Sequence, residues 1–99
     1  VANILTAQEA ADVLRISATD AAMLALLPQV DAYLKNATGR DWAGDSPIRP
    51  EAKSAARMLV VVWYENPAMV GSGLTVLSFG LRNALTQLEA LAIQLAEVV

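Results

Sequence analysis

Apolar residues recur at helical spacing in four stretches of the chain, and the richest apolar run, Met58 to Tyr64, lies in the third. Val60, Val61 and Val62 taken alone also suit a strand, because a short apolar run is ambiguous by period. Length decides for a helix. No Gly or Pro interrupts Glu51 to Asn66, and the first half is largely Ala, Lys, Glu and Arg, which are good helix formers. Pro50 fits the first turn, where its missing N–H costs nothing, and Glu51 faces the positive end of the helix dipole. Asn66-Pro67 stops it. On a helical wheel Ala52, Ala55, Ala56, Leu59 and Trp63 share one face, with Trp63 as the main anchor. Lys53, Arg57, Val60 and Tyr64 form a second stripe, while Met58 and Val61 fall beside Ser54 and Glu65. A simple amphipathic helix turns such positions to water, so this helix is apolar on more than one side and the extra side is expected to be covered.

The other three stretches predict helices around it. Thr6-Ala7-Gln8-Glu9 is a capping-box pattern and starts a short helix to about Leu14, with Leu5, Ala10, Val13 and Leu14 directed inward. Ile16 then plugs the core as the chain turns through Ser17-Ala18-Thr19. A second helix is predicted from about Asp20 to Thr38. Met23, Leu27, Val30, Leu34 and Ala37 alternate in steps of four and three, with Leu26 and Tyr33 alongside. Pro28 lies within it and removes one hydrogen bond, which predicts a kink rather than two helices. Gly39 is the left-handed C-cap. Arg40 to Arg49 is a polar loop carrying Trp42. After Pro67, Gly71, Gly73 and Gly80 mark a flexible loop with a short extended piece at Leu74–Leu77. The last helix is predicted from about Phe79 to Glu97, with Leu81, Ala84, Leu85, Leu88, Ala92 and Leu95 as its core face and Ala90 and Ile93 on the other side. The prediction is therefore an all-α fold, a single domain over 1–99, built as a small bundle of about four helices with a long Gly-containing loop before the last.

Composition sharpens this in one respect. The apolar fraction is 56%, above the ~45–50% usual for soluble domains, which again predicts surface buried between subunits. The formal charge of −3, from ten acids and seven bases spread along the chain, lacks the basic stripe of a dedicated nucleic-acid binder. The absence of cysteine leaves no disulfide framework and suits an intracellular protein. No charged-then-apolar leader pattern opens the residues given, and no apolar run approaches the ~20 residues of a membrane span.

Candidate chemistry is sparse. With no His and no Cys, zinc sites and Ser-His or Cys-His catalysis are excluded. Asp41 and Asp45 flank Trp42 without the ligand spacing of a calcium loop. Gly71-Ser72-Gly73 lacks the Lys-Ser/Thr of a phosphate loop. Asn36-Ala37-Thr38 matches a glycosylation sequon without a secretory signal to support it. Trp42 either lids the core or anchors a partner, as Trp does at interfaces. Lys53, Arg57 and Tyr64 form a stripe that can touch phosphates, although a solvated helix face accounts for them more simply. Residues 5–20 also look like the opening of an excisionase-type helix-turn-helix, the alternative function being a DNA-binding regulator. Its reading helix would offer Asp20, Met23, Leu24, Leu26 and Leu27, with its only cation at Lys35, poor chemistry for a groove.

Four blocks carry a resemblance that spans most of the chain. They are Leu5-Thr6…Glu9-Ala10…Leu14-Arg15-Ile16, then Asp20…Leu26-Leu27…Val30…Leu34…Thr38-Gly39-Arg40, then Lys53…Ala56…Trp63-Tyr64-Glu65-Asn66, and finally Leu77…Gly80-Leu81…Leu85…Leu88. In this order they resemble the small head-to-tail connector (adaptor) proteins of long-tailed bacteriophages, a family linked to DNA packaging. Trp-Tyr-Glu-Asn is the most distinctive block. The chain departs from the family at Pro67, where an arginine is common, and at Ser78-Phe79, where proline usually enters the last helix. The resemblance implies a non-enzymatic structural subunit of a phage or prophage that uses no cofactor. Its copies would form a ring under the portal protein, continue the DNA channel without sequence-specific binding, and receive tail-side connector proteins. The implied location is the virion neck, and the host bacterial cytoplasm during assembly. Trp42, Met58, Val61 and Ile93 are the expected interface residues.

Overall fold

The computed structural model describes residues 3–66 and 79–97. Among these the chain forms helices α1 (Ala7–Leu14), α2 (Ala21–Thr38), α3 (Pro50–Glu65) and α4 (Phe79–Glu97), with no strand. The expected loop after Pro67 and its extended piece at Leu74–Leu77 lie outside the described residues.

Local signals place the helix ends. The α1 capping box is complete in both directions: the Glu9 amide donates to the Thr6 hydroxyl at 3.1 Å, and the Thr6 amide donates to the Glu9 carboxylate at 2.9 Å. Asp20, expected as the first residue of α2, sits one step outside it as the N-cap and accepts from the Met23 amide at 2.9 Å. Gly39 closes α2 with φ +78° and donates its amide to the Lys35 carbonyl. Pro50 occupies the first turn of α3. Pro28 lies within one continuous helix. It is exposed, as is Leu24, so the Leu24 carbonyl deprived of a donor is open to water.

The core is built around α3. Ala52, Ala55, Ala56, Leu59, Val60 and Trp63 are fully buried on it, and it packs against α1, α2 and α4. The alanines let neighbouring helices approach, and the heavier side chains fill the remaining space. Helix α2 supplies Met23, Leu26, Leu27, Val30 and Leu34, and α4 supplies Leu88 and Ala92. Tyr33 meets Trp63 edge-on, with ring centroids 5.4 Å apart and planes at 83°. Helices α1 and α4 both pack on α2 and α3 but, among the described residues, not on each other, so they flank the bundle.

Several residues depart from expectation. Val13, assigned inward, is 38% exposed, because Ala10 and Ala11 turn to the core and take α1's inner stripe. Ala37 is exposed; the end of α2 is covered instead by Trp42, folded back from the loop. Val60 is buried rather than on a polar stripe, and Val61 is half-buried against the core. Ile16 is only partly buried. Ile4, which no pattern had singled out, is fully buried beside Leu5. Arg15 ends α1 at φ +59°, a left-handed position uncommon for a residue other than glycine. On α4, Ala84, Leu85, Leu88, Ala92 and Leu95 pack on the core as expected, joined by Leu91. The Leu81 side chain lies outside the described residues.

Candidate functional site

Tertiary contacts engage all three residues of the Lys53, Arg57 and Tyr64 stripe, and Arg57 keeps 41% of its side chain exposed. Lys53 Nζ donates to Glu9 at 2.6 Å and to the Ile4 carbonyl at 3.1 Å. Arg57 stands 3.6 Å from the other Glu9 oxygen. The Tyr64 hydroxyl donates to Asp20 Oδ2 at 3.2 Å, tying the end of α3 to the cap of α2. On the other side of the entering strand of chain, the Ile4 amide donates to Asp31 at 3.1 Å. The backbone of Ile4 is thus held from α2 by its N–H and from α3 by its carbonyl.

These contacts shift titrations. The Lys53 hydrogen bond, helped by the Thr6 amide, holds the Glu9 carboxyl below the usual glutamate range. Burial pushes Asp31 up, partly offset by the Ile4 amide, with the negative charge of Asp41 adding to the rise. Desolvation and the Asp20 carboxylate push the Tyr64 hydroxyl up. A depressed carboxyl adds stability above its unfolded pKa, about 4.3, and that stability is lost as the pH falls through its lower folded value. Asp31 acts in the opposite sense, favouring the fold below the usual aspartate pKa and losing that contribution as the pH rises through its elevated value. Comparing Glu9→Gln with the parent chain isolates the first effect. The variant is expected to be less stable at pH 7 by about 1 kcal/mol or less, Glu9 being partly exposed, and the gap should narrow in urea melts as the pH falls below the usual glutamate range. A gap unchanged at pH 3 would refute the Lys53 pairing.

The four expected interface residues do not form one patch. Trp42 is 1% exposed. Its Nε1 donates to the Thr38 hydroxyl at 2.8 Å, and Arg40 lies over its ring at 5.1 Å. It is a lid on the core and offers no surface to a partner in this conformation. Met58 and Val61 do come together: with Val13, Arg57 and Val62 they line a shallow apolar hollow of ≈ 330 Å³ between α1 and α3. Met58 also borders a groove of ≈ 370 Å³ between α3 and α4, opposite Asn83 and Gln87. Ile93 stands apart, 57% exposed, on the rim of a depression of ≈ 600 Å³ formed by the end of α4 and residues 38–45. Val13 and Val62 had escaped notice as surface residues. Nothing in the α1 wheel marks Val13, which stands three residues from Ala10 and so shares much of its face.

The acids of the Arg40–Arg49 loop are used within it. Asp45 pairs with Arg40 at 2.5 Å, and Asp41 accepts from the Ala43 amide at 3.1 Å. Among the described residues no cluster of three His, Cys, Asp or Glu side chains forms, and no helix is long and apolar enough to cross a membrane. Comparison with models of known families, with curated proteins and with solved structures finds no match to this chain.

Proposed function

We propose that this protein is a head-to-tail connector subunit of a phage or prophage, a structural protein and not an enzyme. Its copies form a ring beneath the portal protein, continue the DNA channel and present a surface to tail-side connector proteins. The observation that carries this reading is the aliphatic surface left open on two sides of the bundle among the described residues. Met58 and Val13 lie on one side and Ile93 on the other. A closed ring needs two different complementary surfaces on each copy. The resemblance of the four sequence blocks supplies the identity of the ring. The net negative charge suits a conduit through which DNA slides without being held.

The helix-turn-helix alternative loses support from the burial of α2. Met23, Leu26 and Leu27, three of the five residues that would meet a groove, are core residues. The exposed residues between Ala21 and Gln29 include no cation.

The test is addition of the purified chain to tailless heads carrying the cognate portal, with bound copies counted by particle mass and tail joining scored. The parent chain is expected to bind as a ring and permit joining. Met58→Glu with Val61→Glu, folded by circular dichroism, is expected to lose both. If the parent chain ignores the portal but binds one duplex at nanomolar affinity as salt rises, the regulator reading replaces this one.

A further inference from the structure

The chain begins, among the described residues, with an arm seated on the bundle. Residues 3–14 bury Ile4, Leu5, Ala10 and Ala11, and among the described residues helix α1 packs on α2 and α3 alone. The seat reads the arm in two ways. Asp31 accepts from the Ile4 N–H at 3.1 Å and Lys53 Nζ donates to the Ile4 carbonyl at 3.1 Å, so side chains meet both backbone groups of a buried apolar residue. Lys53 also donates to Glu9 at 2.6 Å, which fixes the arm's register. Helices α2 and α3 thus form a binding site whose ligand is visible: an extended Ile-Leu segment that runs into a capped helix.

Every copy of the chain carries both the seat and its ligand, and the segment between them has the make-up of a hinge. No residue from Arg15 to Thr19 is fully buried. The bonds that shape it are local, from the Ile16 amide to the Ala11 carbonyl, the Thr19 amide to the Ser17 hydroxyl and the Asp20 amide to the Ser17 carbonyl. Arg15 holds φ +59° without being glycine, a strained conformation that the fold-back of the arm imposes. Opened, these five residues span up to roughly 17 Å, more than the ~10 Å width of a helix. An arm seated on another copy regains every buried contact and clamp bond, and Arg15 is released from its strain. We infer that the arm exchanges between copies: hinged open at Arg15–Thr19, it occupies the α2–α3 seat of a neighbour, with Ile4 between that neighbour's Asp31 and Lys53. This rests on the self-assembly proposed above and names the segment that links the copies.

The Glu9–Lys53 pair reports the exchange without any change to the chain. Equal amounts of unlabelled and heavy-nitrogen-labelled protein are combined, free at high concentration and on portal-bearing heads. A carbodiimide then joins carboxylates to the ammonium groups they touch, and the linked Glu9–Lys53 peptide is weighed after digestion. An arm in its own seat gives peptides of one isotope, and an arm in a neighbour's seat gives mixed ones. The mixed share is expected to rise with concentration in solution and to approach about half, the statistical value for full exchange, on the assembled ring. Glu9→Lys and Lys53→Glu give a second reading. Each alone sets like charges together, whereas an exchanged pair of the two variants has opposite charges at both seats. Their mixture is expected to form dimers at least about tenfold more than either alone, and a chain carrying both changes should behave as the parent. Single-isotope peptides in both settings, or no Glu9–Lys53 link at all, would overturn the exchange; a ring on the portal would then leave the connector function standing. Mixed peptides in solution, with no binding to portals, would uphold the exchange and remove the connector function.

Discussion

Trp63→Ala is expected to lower the unfolding free energy by about 3–5 kcal/mol. The side chain is fully buried, on the one helix that, with α2, touches every other, and it supports Tyr33 edge-on from α2. A domain of this size has roughly 5–15 kcal/mol in total, so the loss is a large share of what holds the bundle. Each kcal/mol should appear as a fall of about 4–8 °C in Tm. Trp63→Phe is expected to be milder than the alanine variant, its cost set by the volume the smaller ring leaves empty. Trp63 Nε1 has no hydrogen-bond partner among the described residues, so the smaller ring forfeits volume but no bond. Urea melts check both. A loss under about 1 kcal/mol for the alanine variant would contradict the placement of Trp63 in the core.

Trp42 makes the opposite use of the same side chain. Trp42→Ala is expected to cost a similar 3–5 kcal/mol, although the residue stands in a polar loop. Its indole N–H donates to the Thr38 hydroxyl, which in turn donates to the Leu34 carbonyl at 2.7 Å. Trp42→Phe keeps most of the ring but strips that acceptor of its donor, at a cost of about 1–3 kcal/mol. The order of the two conservative variants is therefore the sharper test: Trp42→Phe should destabilise more than Trp63→Phe. The reverse order would show that the Thr38 bond is absent.

Backbone signals were the most legible part of the sequence, because each is local. The Thr6–Glu9 box, Gly39 and Pro50 each mark a helix end within a few residues, and the structure has a helix end at all three. The inner face of α3 was equally readable, since alanines and Trp63 repeat at helical spacing. What failed needed knowledge of neighbours. Val13 outranks Ala10 and Ala11 in hydrophobicity, yet the small residues face the core because α1 packs closely on α2 and α3. Lys53 looked like a solvent residue because nothing in its own helix says that Glu9 and the Ile4 carbonyl arrive beside it. Arg15 carries no sign of its left-handed backbone, a conformation that sequence usually announces with glycine. Of the expected interface residues, the exposure of Met58 and Ile93 could be judged from their wheels, whereas Val61 is half-buried against the core. Trp42 could not be judged in this way, because a loop has no periodicity to say which way its side chain turns.

The clamp on Ile4 has a consequence for the order in which the chain takes shape. Its two partners, Asp31 and Lys53, lie 27 and 49 residues further along. Helix α1 has eight residues, well below the ~12–15 at which an isolated helix begins to hold in water. Its cap alone is worth only about 1 kcal/mol. The docking surface of α1 is complete only when α2 and α3 are both in place, and closing so long a loop carries an entropic penalty that local helix pairs avoid. Helix α1 is thus expected to dock late, onto a nucleus of α2 and α3.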